Sequence, residues 1–129
     1  MSISRKCLSQ IDHVPGSNPA SLRMPILHRI TEQAAASAFE VAQAEVAADT
    51  RGTVHAALAR QVAMYLAHVV GGLSLTQVGR MYGRDRTTVA HACAVVEDRR
   101  DDPRFDRAMT ALEYAVRQLG GKLLPSDPR

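Results

Sequence analysis

The chain is 129 residues long, which suits one domain plus tails, and 46% of it is hydrophobic with no tryptophan. Two cysteines, Cys7 and Cys93, are too few for a disulfide framework, and no apolar run is long enough to span a membrane. The formal net charge is +3, yet residues 51–100 hold seven arginines against three acidic residues, so the basic excess is concentrated as a polyanion-binding surface would be.

Residues 1–24 carry Pro15, Gly16, Pro19 and several serines without a sustained period, and read as a flexible N-terminal tail. The N-terminus lacks the apolar segment of a signal peptide, so a cytoplasmic location is expected. Pro25 suits a first helical turn. From there Ile26, Ile30 and Ala34 continue through an alanine-rich stretch to Val41, which predicts a helix over 26–42. Residues 49–53 (Asp-Thr-Arg-Gly-Thr) read as a loop whose one cation is Arg51. Thr53 is placed to cap the next helix, which starts by Ala57 at the latest. Leu58, Val62, Leu66 and Val69 mark its buried stripe, and Gly71-Gly72 ends it.

Ser74-Leu75-Thr76-Gln77 has the S-x-x-Q form of a capping box. A helix over 75–82 then turns Leu75, Val78 and Tyr82 inward, and Gly79 leaves room for a close approach. Gly83 follows where helices often end in a left-handed residue. Asp85 is a good N-cap for a second helix, its carboxylate accepting from the amides of Thr87 or Thr88. In that helix Val89, Ala92, Cys93 and Val96 fall at i, i+3, i+4 and i+7, an apolar stripe that faces a core. Thr87, Ala90, His91 and Ala94 lie on another face, with Arg84 and Arg86 at its start. Small hydrogen-bonding side chains suit base edges in a DNA major groove, and arginines suit phosphate or guanine. A short helix, a turn of about three residues and a second helix make a helix-turn-helix. The second helix ends near Arg99-Arg100, read as a solvated end whose charge favours the dipole. Asp102 caps a last helix with Pro103 at its first position. Phe105, Met109, Leu112, Val116 and Leu119 form its stripe, and Gly120-Gly121 stops it. No strand signal appears. The expected fold is all-α, a helical domain over 25–121 between the tails 1–24 and 122–129.

The chemistry of catalysis is missing from this pattern. There is no G-x-x-x-x-G-K-[ST] phosphate loop and no paired Cys/His spacing for zinc. His13, His28, His55, His68 and His91 are scattered, and no nucleophile has an assignable base. A non-enzyme without metal or cofactor is expected.

Three runs together carry a resemblance. Arg60-Gln61-Val62-Ala63-Met64-Tyr65-Leu66, then Leu73-Ser74-Leu75-Thr76-Gln77-Val78-Gly79, then the stretch from Tyr82 to Cys93 are similar to the C-terminal DNA-binding domain (domain IV) of the bacterial replication initiator DnaA. The resemblance covers residues 38–119. The family signature reads aromatic-Gly-Gly-Arg-Asp-His-Thr-Thr-Val-x-His-Ala. Here one glycine, Gly83, stands for two, and Arg86 stands for the first histidine. The resemblance implies the DnaA-type helix-turn-helix, with an extra N-terminal helix here. It implies that Asp85, Thr87, Thr88 and His91 contact bases, with Arg86 beside them in the major groove and Arg84 at the helix start. Arg60 and Gln61 match the residues that touch the DNA backbone and groove edge, and Arg51 stands in for a loop arginine. Thr76 is placed to donate to a phosphate from a helix N-terminus, and His68 takes a position that often holds a phosphate-binding lysine.

The implied activity is sequence-specific binding of double-stranded DNA at DnaA-box-like sites, as a monomer on the nucleoid, which modulates chromosomal replication initiation. The length leaves no room for the ATPase module of DnaA, so a stand-alone small DnaA-related protein is expected. The full-length initiator and its inactivating protein are the candidate protein partners. The alternatives are a transcriptional regulator with a different operator, and a protein-interaction regulator of the initiator or its inactivating machinery.

Overall fold

The structure, a computed structural model, describes residues 19–40, Val46 and residues 54–123. Among these residues there are five helices and no strand. They are α1 (Pro19–Phe39), α2 (Val54–Val69), α3 (Leu75–Tyr82), α4 (Arg86–Arg99) and α5 (Pro103–Leu123). No helix among the described residues is long and apolar enough to cross a membrane. The expected loop 49–53, with Arg51, lies outside the described residues.

Helix α2 is the axis. From Val62 to Ala67 every residue is buried, so the helix has no wet side along that stretch. The sequence pattern implied one stripe, but α1 packs on one part of α2 and α4 on another. A helix apolar all round is a buried helix. Removing Val62, Met64 or Leu66 from water contributes about 1.5–3 kcal/mol for each side chain. Leu27, Val46, Val78, Val89, Val96, Met109 and Val116 complete the core, and Val69, expected inside, is 44% exposed. Helix α5 packs on α1, Met109 and Val116 facing in while Leu119 is largely exposed.

Three boundaries differ from the sequence reading. Helix α1 starts at Pro19 rather than Ile26, so Pro19 takes the first-turn position that Pro25 was expected to hold. Pro25 sits inside the helix, where its ring removes one backbone donor. The helix ends at Phe39 rather than residue 42, because Glu40 adopts a left-handed φ of 55°. At the other end, α5 runs through Gly120-Gly121 to Leu123, with Gly120 buried. Packing overrides a glycine cost of about 1 kcal/mol per residue there.

Polar bonds tie the helices at chosen points. Arg100, expected to be a solvated helix end, instead gathers α4, α5 and α2. Its Nε donates to Asp106 Oδ1 at 2.6 Å and its Nη1 to Glu113 Oε2 at 2.6 Å. The same guanidinium reaches Tyr65 Oη at 3.2 Å and Thr110 Oγ1 at 3.0 Å. Burial works against the charge, but bonds from Asp106, Glu113 and Tyr65 outweigh it and hold the arginine even more firmly protonated than usual.

Helix α1 meets the end of α3 through a buried pair. The hydroxyls of Thr31 and Tyr82 are 2.7 Å apart. Thr31 Oγ1 donates to the His28 carbonyl at 3.2 Å, so the Tyr82 phenol is the donor to Thr31. Burial pushes that phenol's pKa well above its usual value. The edge of the His28 ring packs on Tyr82 with centroids 4.6 Å apart. Thr31→Val leaves a buried phenol unpaired and should cost about 1–3 kcal/mol of folding stability, whereas Tyr82→Phe should cost about 1 kcal/mol. In denaturant titrations the double variant should be less destabilised than the sum of the two.

Candidate nucleic-acid interface

Local chemistry sets the α3–turn–α4 unit residue by residue. The Gln77 amide donates to Ser74 Oγ at 3.0 Å, and the Ser74 amide donates to Gln77 Oε1 at 2.8 Å. Both halves of the capping box are therefore present. Gly83 takes a left-handed φ of 69° at the end of α3. The amide of Arg84 then donates back to the Gly79 carbonyl at 2.9 Å. Asp85 is extended and caps α4, its Oδ1 accepting from the Thr88 amide at 2.9 Å and from Thr87 Oγ1 at 2.7 Å. The Thr88 amide, followed by the Thr87 and Thr88 hydroxyls, holds the Asp85 carboxyl below the usual carboxylate range.

Helix α4 divides as its sequence implied. Val89, Ala92 and Val96 are buried, and Cys93 on the same stripe is half-buried. Burial, then the Glu97 carboxylate, pushes the Cys93 thiol up. Arg86, Thr87, Thr88, His91 and Ala94 are exposed, with Ala90 half-buried. This outward face combines an imidazole, two hydroxyls and small methyl groups, which fits a groove floor. No acidic residue lies within the first turn of α4, and Arg86 offsets the charge of the capping Asp85 at the positive end of the helix dipole.

The other expected site residues divide in two groups. Thr76 is exposed in the first turn of α3. Arg84 is half-buried, with Nη1 donating to the Tyr82 carbonyl at 3.2 Å. His68 is half-buried, and its Nδ1 lies 2.7 Å from the Leu73 carbonyl just ahead of the capping box. Gln61 is half-buried on α2. Arg60, expected to touch the DNA backbone, is only 9% exposed, and its Nε donates to the Val46 carbonyl at 2.9 Å. Its side chain is directed into the protein because a buried carbonyl there needs a donor. Arg51 lies outside the described residues. The sequence reading passed over Arg80, which is exposed one turn after Thr76. The i, i+4 spacing of a hydroxyl and a cation was the available signal.

Residues 29–96 match the family described as the bacterial DnaA protein helix-turn-helix. The chromosomal replication initiator protein DnaA of Lachnoclostridium phytofermentans is 41% identical over 76 residues, which cover 57% of this chain and 17% of that protein. The same-named protein of Mesorhizobium japonicum is 35% identical over 97 residues, covering 70% of this chain and 19% of that protein. That of Laribacter hongkongensis is 45% identical over 60 residues, or 45% of this chain and 12% of the relative. The chain thus spans less than a fifth of the length of these relatives.

The Asp85 cap gives α4 a pH dependence of known sign. A carboxylate with a lowered folded pKa contributes stability that is complete above its unfolded value and lost as pH falls through the folded one. Denaturation followed from neutrality to below about pH 4 should show that increment fading at the acid end. In Asp85→Asn, which keeps a capping side chain without the titrating group, this contribution should disappear from the pH profile.

Proposed function

The chain belongs to the bacterial DnaA helix-turn-helix family, and we propose that it binds double-stranded DNA at DnaA-box-like sites and thereby modulates chromosomal replication initiation. The observation that carries the reading is the outward set Arg86, Thr87, Thr88 and His91, presented on a helix capped by Asp85 and packed through Val89 and Val96. Such a face enters the major groove with the N-terminal part of α4 against base edges, Asp85 included. Thr76, Arg80 and Arg84 face phosphates on the flank, and Gln61 and His68 follow the backbone beyond them. Arg60 serves the site indirectly, by fastening the segment at Val46. Competition with the full-length initiator for its sites is the route to regulation, and the initiator or its inactivating protein is the protein partner.

A second reading is a transcriptional regulator that uses the same fold at another operator. It is favoured by the three-residue turn Gly83-Arg84-Asp85 and by the free-standing Arg86 at the recognition face. Genome-wide occupancy separates the two. Sites clustered at the origin and carrying DnaA boxes support the first, and dispersed sites without boxes support the second.

Electrophoretic shifts with a DnaA-box duplex and a scrambled duplex test the binding itself. His91→Ala should lose about 1–3 kcal/mol on the box and narrow the gap to the scrambled duplex, whereas Arg80→Ala should weaken both alike and lower the salt dependence. Equal affinity of the unmodified protein for both duplexes defeats the sequence-specific reading. Origin number per cell should shift when the protein is overproduced, and an unchanged number counts against a role in initiation.

A further inference from the structure

We infer that Arg100 is a positioning residue for DNA recognition: from the far end of α4, and through α5, it sets the direction in which the recognition face is presented. The inference rests on the DNA-binding reading above. It gives a part in that reading to α5, which carries none of the residues of the proposed contact surface. Arg100 and α5 both lie beyond the residues 29–96 that match the family.

A contact at one end of a helix fixes a point and leaves a direction. The Arg84 amide, bonded to the Gly79 carbonyl at 2.9 Å, settles where α4 begins. Beyond that point α4 rests on the core through Val89, Ala92 and Val96. Apolar contact is non-directional, so it holds the helix down without fixing its tilt as hydrogen bonds do. His91 stands about 8 Å along the axis from Arg86, so a tilt of about 15° carries it through about 2 Å. A binding constellation tolerates about 0.5 Å. The direction of α4 therefore needs a second fixed point, away from the first.

Arg100 supplies it. Its amide donates to the Val96 and Glu97 carbonyls, both at 3.1 Å, so its backbone continues α4. Its guanidinium bridges two turns of α5. Asp106, Thr110 and Glu113 fall at i, i+4 and i+7 on one face of that helix. All three accept from Arg100, the two carboxylates at 2.6 Å and the hydroxyl at 3.0 Å. Bonds to residues about 10 Å apart along α5 fix an angle as well as a position. Tyr65 Oη, 3.2 Å away, adds a point on α2. Charged bonds of this kind are short and geometrically specific. Helix α5 can bear them because buried Met109 and Val116 hold it to the core and its body packs on α1. Arg99 is the contrast. It carries the same charge one residue earlier, but it is exposed and its guanidinium lies 6.0 Å from the centre of the Phe105 ring.

The test uses the full chain, a DnaA-box duplex and a scrambled duplex at fixed salt. Circular dichroism sets a temperature at which each variant is fully folded. Arg100→Gln should shrink the preference for the box about tenfold, while affinity for the scrambled duplex changes less than about threefold. Glu113→Gln, on α5, should shrink the preference too, and the double variant should lose less than the two losses multiplied together. Arg99→Gln should keep the preference. In the DNA-free protein the amide resonances of Thr88 and His91, about 18 and 14 Å along α4 from residue 100, should shift in Arg100→Gln and stay in place in Arg99→Gln. If Arg100→Gln does not fold, Glu113→Gln carries both measurements alone. The inference is overturned if the variant weakens both duplexes by the same factor, as a loss of folded protein would. It is overturned as well if Arg99→Gln costs as much preference, which makes charge the cause, or if the Thr88 and His91 resonances do not move. Preference kept by the variants sinks this inference alone, whereas equal affinity of the unmodified protein for both duplexes defeats the sequence-specific reading and this inference with it.

Discussion

Between Gly79 and the backbone of Arg84 there is no room for a side chain. A Cβ at residue 79 would stand 2.5 Å from the Arg84 carbonyl oxygen. That approach sets how α3 and α4 meet, because it places residue 84 against the body of α3 while the Arg84 amide bonds the Gly79 carbonyl. The chain reverses through Gly83, whose left-handed backbone would cost another residue about 1–2 kcal/mol. With residue 84 fixed, Asp85 has one way to begin α4, and its carboxylate falls over Thr87 and Thr88. The outward direction of the recognition face therefore follows from a contact between two backbones on its inner side.

The helix-turn-helix is also held from outside, beside its turn and at its far end. Tyr82, at the end of α3, is fixed to Thr31 of α1 by a buried hydroxyl pair. Arg100, at the end of α4, is fixed to Asp106 and Glu113 of α5 and to Tyr65 of α2. Between these anchors the contact is apolar, Val89 and Val96 lying in the same core as Val62 and Leu66 of α2. Buried hydrogen bonds specify which packing is adopted, and apolar area supplies most of the driving force. The result is a rigid unit, which suits a surface that must match a duplex without reordering itself first.

What the sequence made legible was local. Ser74, Asp85 and Asp102 announced helix starts because capping needs a short polar side chain at a fixed offset, and each starts its helix as expected. The inner and outer faces of α4 followed from period alone. What stayed hidden depended on distant partners. Pro25 and Pro19 are equally good first-turn residues when seen locally, and a run of sequence does not show that Met24, ahead of Pro25, packs against the core within the helix that starts at Pro19. Gly120-Gly121 looked like a stop because propensity was read without the packing of α5. Arg60 and Arg100 looked like surface charges because a run of sequence does not show which carbonyl or carboxylates will face them. The capping carboxylate of Asp85 was legible, but the hydroxyl bond that orients Thr87 needed coordinates.

The bond between His68 and the Leu73 carbonyl has a consequence for the ring's far side. A carbonyl oxygen has no hydrogen to give, so Nδ1 must carry the proton that joins them. The neutral imidazole is thereby locked into one tautomer, with Nε2 bare. A phosphate oxygen approaching that nitrogen meets lone pair against lone pair and is repelled. A nucleic-acid backbone met at this ring would be held through a water, which donates one hydrogen to Nε2 and the other to a phosphate oxygen.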